Sequence, residues 1–387
     1  MNILRIVYDW PAPWTGLSPG PYYLTLSQAK LGHKIIVLTG NLNGKRLLKL
    51  NLVEKPAHNV VVINLPRAIA KHTGPFLTTA PLSLFVYLIL RLFKRIDVIH
   101  GHGHTTLFIS IYKKLFKFMD KTCYVVHMHN CSKKRRLRAE ENHEKFTFLQ
   151  KYFDNPLHEL AEQLALQEAD KIIAVSEDIK SELEELYKIN NKKIVTIENG
   201  IPTDIFHPHI KNNKKNTFNL LSVGVLSPRK NIGTLILALK YLNNKFNLTL
   251  IGTTTDINYK NKINNSIKEN KLQKRINIIE YVDNLKVANY YKNADLFVLP
   301  SKYEGLPKVV LESLACATPV LTTKLSLQNK ISGLFFINDF LPEKLANQIE
   351  TLSQKHLKVD THLIHRIYSW DNKVKDIDKI YKEVGCF

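Results

Sequence analysis

The 387-residue chain is organised by an alternation that occurs twice. Short runs rich in β-branched residues, NILRIVY, KIIVLTG, VVVINL, DVIHGH, TCYVVHMH and KIIAVS, are separated by longer amphipathic stretches. The spacing predicts helices over about 22–31, 82–93 and 107–118, and a long one ending near Ala169. Parallel strands need a long crossover, usually helical, so this pattern builds parallel sheets covered on both faces. The pattern breaks at IPTDIFHPHIKNNKKNTFNL, which combines prolines with a polar Asn/Lys cluster, lacks periodicity and reads as a linker. It restarts with NLLSVG, a helix over about 231–242, FNLTLIG, INIIEYV, LFVLPS and PVLTT. The chain is too long for one ordinary core and suits two domains of about 200 residues each. The fold expected is α/β, with two doubly wound parallel-sheet domains at 1–200 and 217–367, a linker at 201–216 and a C-terminal helix at 368–387. A cleft between the domains, at the carboxyl ends of their strands, is the default ligand site.

Composition narrows the class. At 44% hydrophobic and 23% charged, the chain is neither disordered nor fibrous. Cys123, Cys131, Cys316 and Cys386 show no CxxC spacing, which argues against a zinc site or a disulfide scaffold and fits the reducing cytoplasm. MNILRIVYDW reads as a first strand, not a signal peptide. The longest apolar run, 82–93, falls short of the roughly 20 residues a membrane span requires.

Charge is unevenly placed. Residues 1–138 carry 21 Lys/Arg against 4 Asp/Glu, a net of +17, out of +21 for the whole chain. That asymmetry calls for an anionic partner at the amino-terminal end. No DNA- or RNA-binding motif accompanies it, so nucleic acid is not expected. SKKRRLRAEEN, with five basic residues in six from Lys133 to Arg138, joins LFVYLILRLFKR and IYKKLFKFMDK in pointing to an anionic membrane surface. A solvated loop and ordinary core helices account for the same letters.

Chemistry concentrates in YEGLPKVVLESLACATPV, from Tyr303 to Val320. Glu304 and Glu312 are eight apart, a spacing that Glu177 and Glu185 share, so context and not spacing must identify a site. Glu304 follows the strand LFVLPS and precedes a turn at Gly305 and Pro307 into a helix; Glu312 lies two turns on, among Val309, Val310, Leu311 and Leu314. A carboxylate among aliphatics needs a partner. A pair of ligand hydroxyls would serve; the alternative is a position at the stripe's edge that reaches solvent. A helix starting at Gly305 would also offer N–H groups to a diphosphate. In SVGVLSPRKNIGTL, Arg229 and Lys230 sit between a strand and a helix with Asn231 as candidate N-cap, where they either neutralise a phosphate or are plain surface charge. His102 and His104, and His127 and His129, lie at or beyond strand ends; His127-x-His129 has no accompanying acid, so a metal is not expected.

LSVGVLSPRKNI, ADLFVLPSKYEGLPKVVLESLACATPVLTT, ADKIIAVSE and IENGIPTDIFHP together resemble the retaining nucleotide-sugar glycosyltransferases of family 4, which have the GT-B fold. The resemblance implies that Glu312 holds the donor ribose, Glu304 contacts the donor sugar, and Lys230 binds the diphosphate, with backbone contacts from Gly305 and Leu306. An arginine usual in the first motif is Val225 here, so Arg229 would stand in for it. Glu280 replaces a usual glycine, and the segment 324–332 is short. In the first half, PAPWTGLSPGPYYL resembles the family's phosphate-facing loop, with Gly16 against the donor, and His129 matches an acceptor-side histidine. The implied activity is hexosyl transfer to a lipid-linked or polysaccharide acceptor in cell-surface glycan synthesis, with no metal or other cofactor, at the inner face of the membrane. Two other readings remain: a non-catalytic nucleotide- or lipid-binding relative, and a sugar-nucleotide epimerase of the same fold.

Overall fold

The computed structural model describes residues 1–8, 10, 20–42, 52–66, 78–141, 146–209, 216–254, 256–302, 304, 307–325 and 330–385. The chain divides into two compact units, one made of the described residues up to Asn199 together with 370–385, the other running from Gly200 to Ser369.

The first unit contains the strands β1 (Asn2–Val7), β2 (Lys34–Leu42), β3 (Val53–Ala57), β4 (Val60–Pro66), β5 (Val98–His102), β6 (Cys123–Met128), β7 (Lys171–Ala174) and β8 (Ile194–Thr196). Its helices are α1 (Gly20–Lys30), α2 (Ala80–Phe93), α3 (Leu107–Phe116), α4 (Ser132–Glu141), α5 (Asn155–Glu168) and α6 (Glu177–Tyr187). The strand order is β3-β4-β2-β1-β5-β6-β7-β8, parallel except for the edge pair β3–β4. Alternation along each strand serves two cores. Ile3, Val7, Val98 and Val125 pack with Leu24 of α1, while Leu4, Ile6, Ile99 and Val126 pack with Tyr87 of α2, Ile109 of α3 and Leu166 of α5. The long helix expected to end near Ala169 does end at Glu168, and the basic run at 133–138 is the helix α4, not a loop.

The second unit contains β9 (Phe218–Val223), α7 (Ile232–Tyr241), β10 (Phe246–Ile251), α8 (Ile257–Glu269), β11 (Ile276–Ile279), α9 (Asn284–Asn293), β12 (Leu296–Leu299), α10 (Lys308–Ala315), β13 (Val320–Thr322), β14 (Leu334–Phe336), α11 (Pro342–Ser353) and α12 (Thr361–Tyr368). Its all-parallel order is β11-β10-β9-β12-β13-β14, in which the winding direction reverses between β9 and β12. Such a reversal splays the loops that follow the two strands and opens a crevice at their carboxyl ends. The loop after β9 carries Arg229 and Lys230, and the loop after β12 carries Glu304.

One boundary differs from expectation. The start of the presumed linker is core: Ile201 and Phe206 are fully buried in the second unit, and Ile201 bridges Ser369 in parallel. An apolar residue in an aperiodic, proline-rich segment carries no periodic sign of burial. The final helix α13 (Trp370–Glu383) returns to the first unit, where Val374, Ile377 and Tyr381 cover the same face as α1.

Candidate functional site

The loop after β9 is shaped by close backbone approach. A Cβ on Gly252 would lie 1.9 Å from the carbonyl oxygen of Gly224, and Gly252 has φ +147°, so only glycine lets the ends of β9 and β10 meet. The chain then makes a 3₁₀ turn over Pro228–Lys230 and reverses at Asn231, whose φ of 51° is left-handed. Asn231 occupies the N-cap position of α7 without a capping bond to the backbone; its Oδ1 accepts from Thr234 Oγ1 at 2.8 Å. Lys302 N–H donates to the Arg229 carbonyl at 2.9 Å, which ties this loop to the one after β12.

That tie brings three of the expected site residues together. Lys230 Nζ lies 2.6 Å and Arg229 Nη1 3.1 Å from the same oxygen, Oε1 of Glu304. The Glu304 and Lys230 side chains are 9% and 12% exposed, whereas Arg229 is 40% exposed. Burial alone would raise the Glu304 carboxyl, but the Lys230 ammonium and the Arg229 guanidinium outweigh it and hold the group below the usual carboxylate range. For Lys230 burial wins over the attraction of Glu304, and its pKa is lowered. The cluster therefore keeps an ionised carboxylate under two cations at the switch point of the sheet.

Glu312 is buried in α10, contrary to the solvent-edge alternative, and it has protein partners that the sequence reading did not supply. Tyr291 Oη, fully buried on α9, donates to Glu312 Oε2 at 3.0 Å. Lys308, one helical turn before Glu312, attracts it electrostatically. Burial pushes the Glu312 carboxyl up to about 7 against both partners, and burial lowers Lys308 to about 8. Tyr291 escaped notice because it stands 21 residues upstream with a strand between, and nothing in the periodicity links the two positions. The helix begins at Lys308 with Pro307 as N-cap, later than the expected start at Gly305. Gly305 and Leu306 lie outside the described residues, as does Gly16. Glu280, at the end of β11, is exposed and ion-paired to Lys260 at 2.5 Å. Val225 is also exposed.

In the first unit His129 joins a stack of four imidazoles. The ring centroids are 4.8 Å apart for His100 and His102, 5.2 Å for His102 and His127, and 4.6 Å for His127 and His129, with interplanar angles of 3°, 21° and 9°. Only His129 of these four is exposed, and its Nε2 is 3.1 Å from His102 Nδ1. His100 Nδ1 bonds Tyr381 Oη of α13. On the opposite face of β5, Gly101 makes room for Thr106, since a Cβ there would lie 2.3 Å from Thr106 Cγ2. Burial, then mutual repulsion and the Arg5 charge, hold His102 well below the ordinary histidine range, and His100 likewise. His100, His102 and His127 place one ring nitrogen each within 4.8 Å of one another, a spacing that could admit a metal. Imidazole lone pairs lie in the ring plane, so near-parallel rings do not aim them at a common point about 2 Å away. The stack is better described as a ladder of packed rings than as a ligand set.

Both halves of the chain match known families. Residues 16–205 match the model described as Glycosyltransferase Family 4, and residues 204–370 match Glycosyl transferases group 1. The chain belongs to the group 1 glycosyltransferases and has the GT-B fold, with its two parallel-sheet α/β domains. An uncharacterized glycosyltransferase of Methanocaldococcus jannaschii is 31% identical over 231 residues, 57% of this chain and 62% of that protein. The match therefore spans less than two thirds of that relative's length. A capsular polysaccharide biosynthesis glycosyltransferase of Staphylococcus aureus is 25% identical over 73% of this chain and 77% of that protein. A protein from Anabaena, solved in complex with UDP and glucose, superposes with a TM-score of 0.70 at 18% identity, covering 98% of this chain and 99% of that one.

Proposed function

We propose that this protein transfers a hexose, with retention, from a nucleotide-diphosphate donor held by the second unit to a lipid-linked or polysaccharide acceptor held by the first. The observation that carries the reading is the convergence of Arg229 and Lys230 on Glu304 beyond the reversal between β9 and β12. Two cations fixed there would neutralise the charge that develops on a departing diphosphate, and Glu304 would orient the hexose beside them. Glu312 would grip the ribose hydroxyls with its carboxylate, and the backbone at Gly305, Leu306 and Gly16 would contact the donor. No carboxylate is assigned as a nucleophile, so retention follows a front-face course. The bond from the anomeric carbon to the phosphate oxygen breaks, the acceptor oxygen bonds to the same face, and the acceptor proton passes to the departing phosphate. His129 would position the acceptor hydroxyl. The charge is managed by protein side chains, so no metal or other cofactor is assigned. The relative in capsular polysaccharide synthesis and the fold neighbour solved with UDP and glucose support this class of donor and acceptor. Among the described residues no helix is long and apolar enough to cross a membrane. We place the protein's action at the cytoplasmic face, in cell-surface glycan synthesis.

The test is a panel of UDP-, GDP- and ADP-sugars with the full chain, reading nucleotide release and the anomer of any product. One donor turned over with its configuration kept is the expected result. Glu312→Gln should weaken nucleotide affinity by about 10–100-fold, the worth of charge-assisted hydrogen bonds of roughly 1.5–3 kcal/mol. If no donor is turned over and Glu312→Gln binds every nucleotide like the parent, the protein is a non-catalytic relative. Release of an epimerised nucleotide sugar would establish the epimerase reading instead.

A further inference from the structure

Two helices of the first unit carry apolar side chains on their solvent side. In α2 the buried positions are Ala80, Ser83 and Tyr87, while Phe85, Leu88, Ile89 and Leu92 recur at helical spacing on the exposed side. In α3 and the turn after it, Ile111, Leu115, Phe118 and Met119 do the same. The most prominent are bare: Leu92 and Phe93 are each 79% exposed and Phe118 77%. The helices lie side by side, joined by the hydrogen bond from Arg91 Nη1 to Tyr112 Oη at 2.8 Å and by the Tyr87–Tyr112 edge contact. The two stripes thus form one face, which a soluble monomer rarely exposes without using it.

The charges on this face select its partner. Residues 78–121 contain seven Lys/Arg and two Asp. Both aspartates are engaged: Asp97 accepts from Asn2 N–H and pairs with Arg95, while Asp120, fully buried, binds Tyr87, Arg91 and Lys113. Lys94, Lys114 and Lys121 remain exposed around the apolar residues, together with Arg95 and Lys117, which are exposed but paired with Asp97 and Asp170. A second copy of this face would set like charges against each other, which disfavours self-association. We propose that the α2–α3 face docks on an anionic bilayer, with its apolar side chains in the acyl boundary and its lysines reaching lipid phosphates. The neighbouring basic run on α4 is largely spent inside the protein. Arg136 pairs with Glu159 and Glu140, Arg138 with Glu182, and Lys133 donates to the Leu186 carbonyl. This docking goes beyond the sugar-transfer reading and does not depend on it.

Flotation of the full chain with phosphatidylcholine vesicles, with and without phosphatidylglycerol, tests the proposal. The parent should float with the anionic vesicles only, and less as salt rises. The variant Lys94→Glu, Lys114→Glu, Lys121→Glu should bind more than about 100-fold more weakly, since each basic residue near an anionic surface is worth roughly 5-fold. The variant Leu92→Ser, Phe93→Ser, Phe118→Ser should also be released, while Lys134→Glu on α4 should float like the parent. Nucleotide release from a soluble donor should be unchanged in all of them, and a thermal melt confirms folding. Parent-like flotation of either triple variant would overturn the proposal. So would salt-independent binding, or a lipid-free dimer that the apolar variant abolishes.

Discussion

The two units each bury titratable side chains near the carboxyl ends of their strands, and they solve the cost of that burial in opposite ways. In the second unit, opposite charges meet: Glu304 stays ionised under Arg229 and Lys230, and Glu312 leans on Tyr291 and Lys308. In the histidine stack of the first, groups of one kind meet. His100 and His102 have only other histidines, Tyr381 and the Arg5 guanidinium beside them, and they stay neutral. A buried charge needs a counter-charge or must give up its proton. The first solution stores charge that a polar ligand can use. The second makes a buried stack of rings, of whose four members only His129 is exposed.

The sharpest way to break this comparison is to remove a charge from the second unit. Lys230→Ala should lower kcat/KM by about 10²–10³-fold, the usual cost of losing one preorganised group that stabilises developing charge. It also leaves Glu304 less compensated. The corresponding change at the ladder, His127→Phe, should leave nucleotide affinity unchanged, because this ring stacks on other histidines and takes no part in the Glu304 cluster. A parent-like rate for Lys230→Ala, measured as nucleotide release, would end the charge-storage account.

Acid should separate the units next. His100, His102 and His104 all have folded-state pKa values below the ordinary 6.5, with burial the first cause and His104 brought down to about 3. As pH falls through about 6.5 the unfolded chain takes up these protons and the folded chain does not. Stability of the first unit should therefore drop, by up to about 1.4 kcal/mol per pH unit for each such histidine. Glu312 has the opposite sign: its carboxyl, raised from 4.5 to about 7, keeps its proton in the folded state while the unfolded group loses it. Between about 7 and 4.5 its contribution to stability grows as pH falls. Hydrogen exchange across that range should show β5 and α13 losing protection while β12 and α10 hold theirs. Equal losses in both units would show that the ladder carries no special acid sensitivity.

The smallest effect tests whether Tyr291 positions Glu312. Tyr291→Phe removes a hydrogen bond that favours the carboxylate, so the Glu312 midpoint should move above about 7. Donor KM at neutral pH should rise a few-fold, with kcat little changed, and affinity should recover at higher pH. A uniform loss at every pH would mean that Tyr291 serves packing alone.

Much of this was legible beforehand, for a physical reason. Strand and helix periodicities are local, so two doubly wound α/β domains could be read from alternating apolar runs, and Arg229, Lys230 and Glu304 could be placed at strand ends from the same pattern. Ile201 and Phe206 could not, because burial in an aperiodic segment leaves no period to read. Nor could the start of α10 be fixed at Lys308, since Pro307 suits either the N-cap or the first turn.

The sequence by itself determined the fold class and the chemical types gathered after β9 and β12, because these rest on short-range pattern, and its motifs carried the resemblance to the family. Only the tertiary structure decided who neutralises whom. It gave Glu312 a tyrosine 21 positions upstream and a lysine one turn back, set two cations on one oxygen of Glu304, and stacked histidines from β5 and β6 under a helix from the far end of the chain. It also spent the basic run of α4 on internal acids while leaving the α2–α3 face bare. Electrostatic partnership depends on distance in space and on exclusion of water, and neither is encoded in the spacing of letters along a chain.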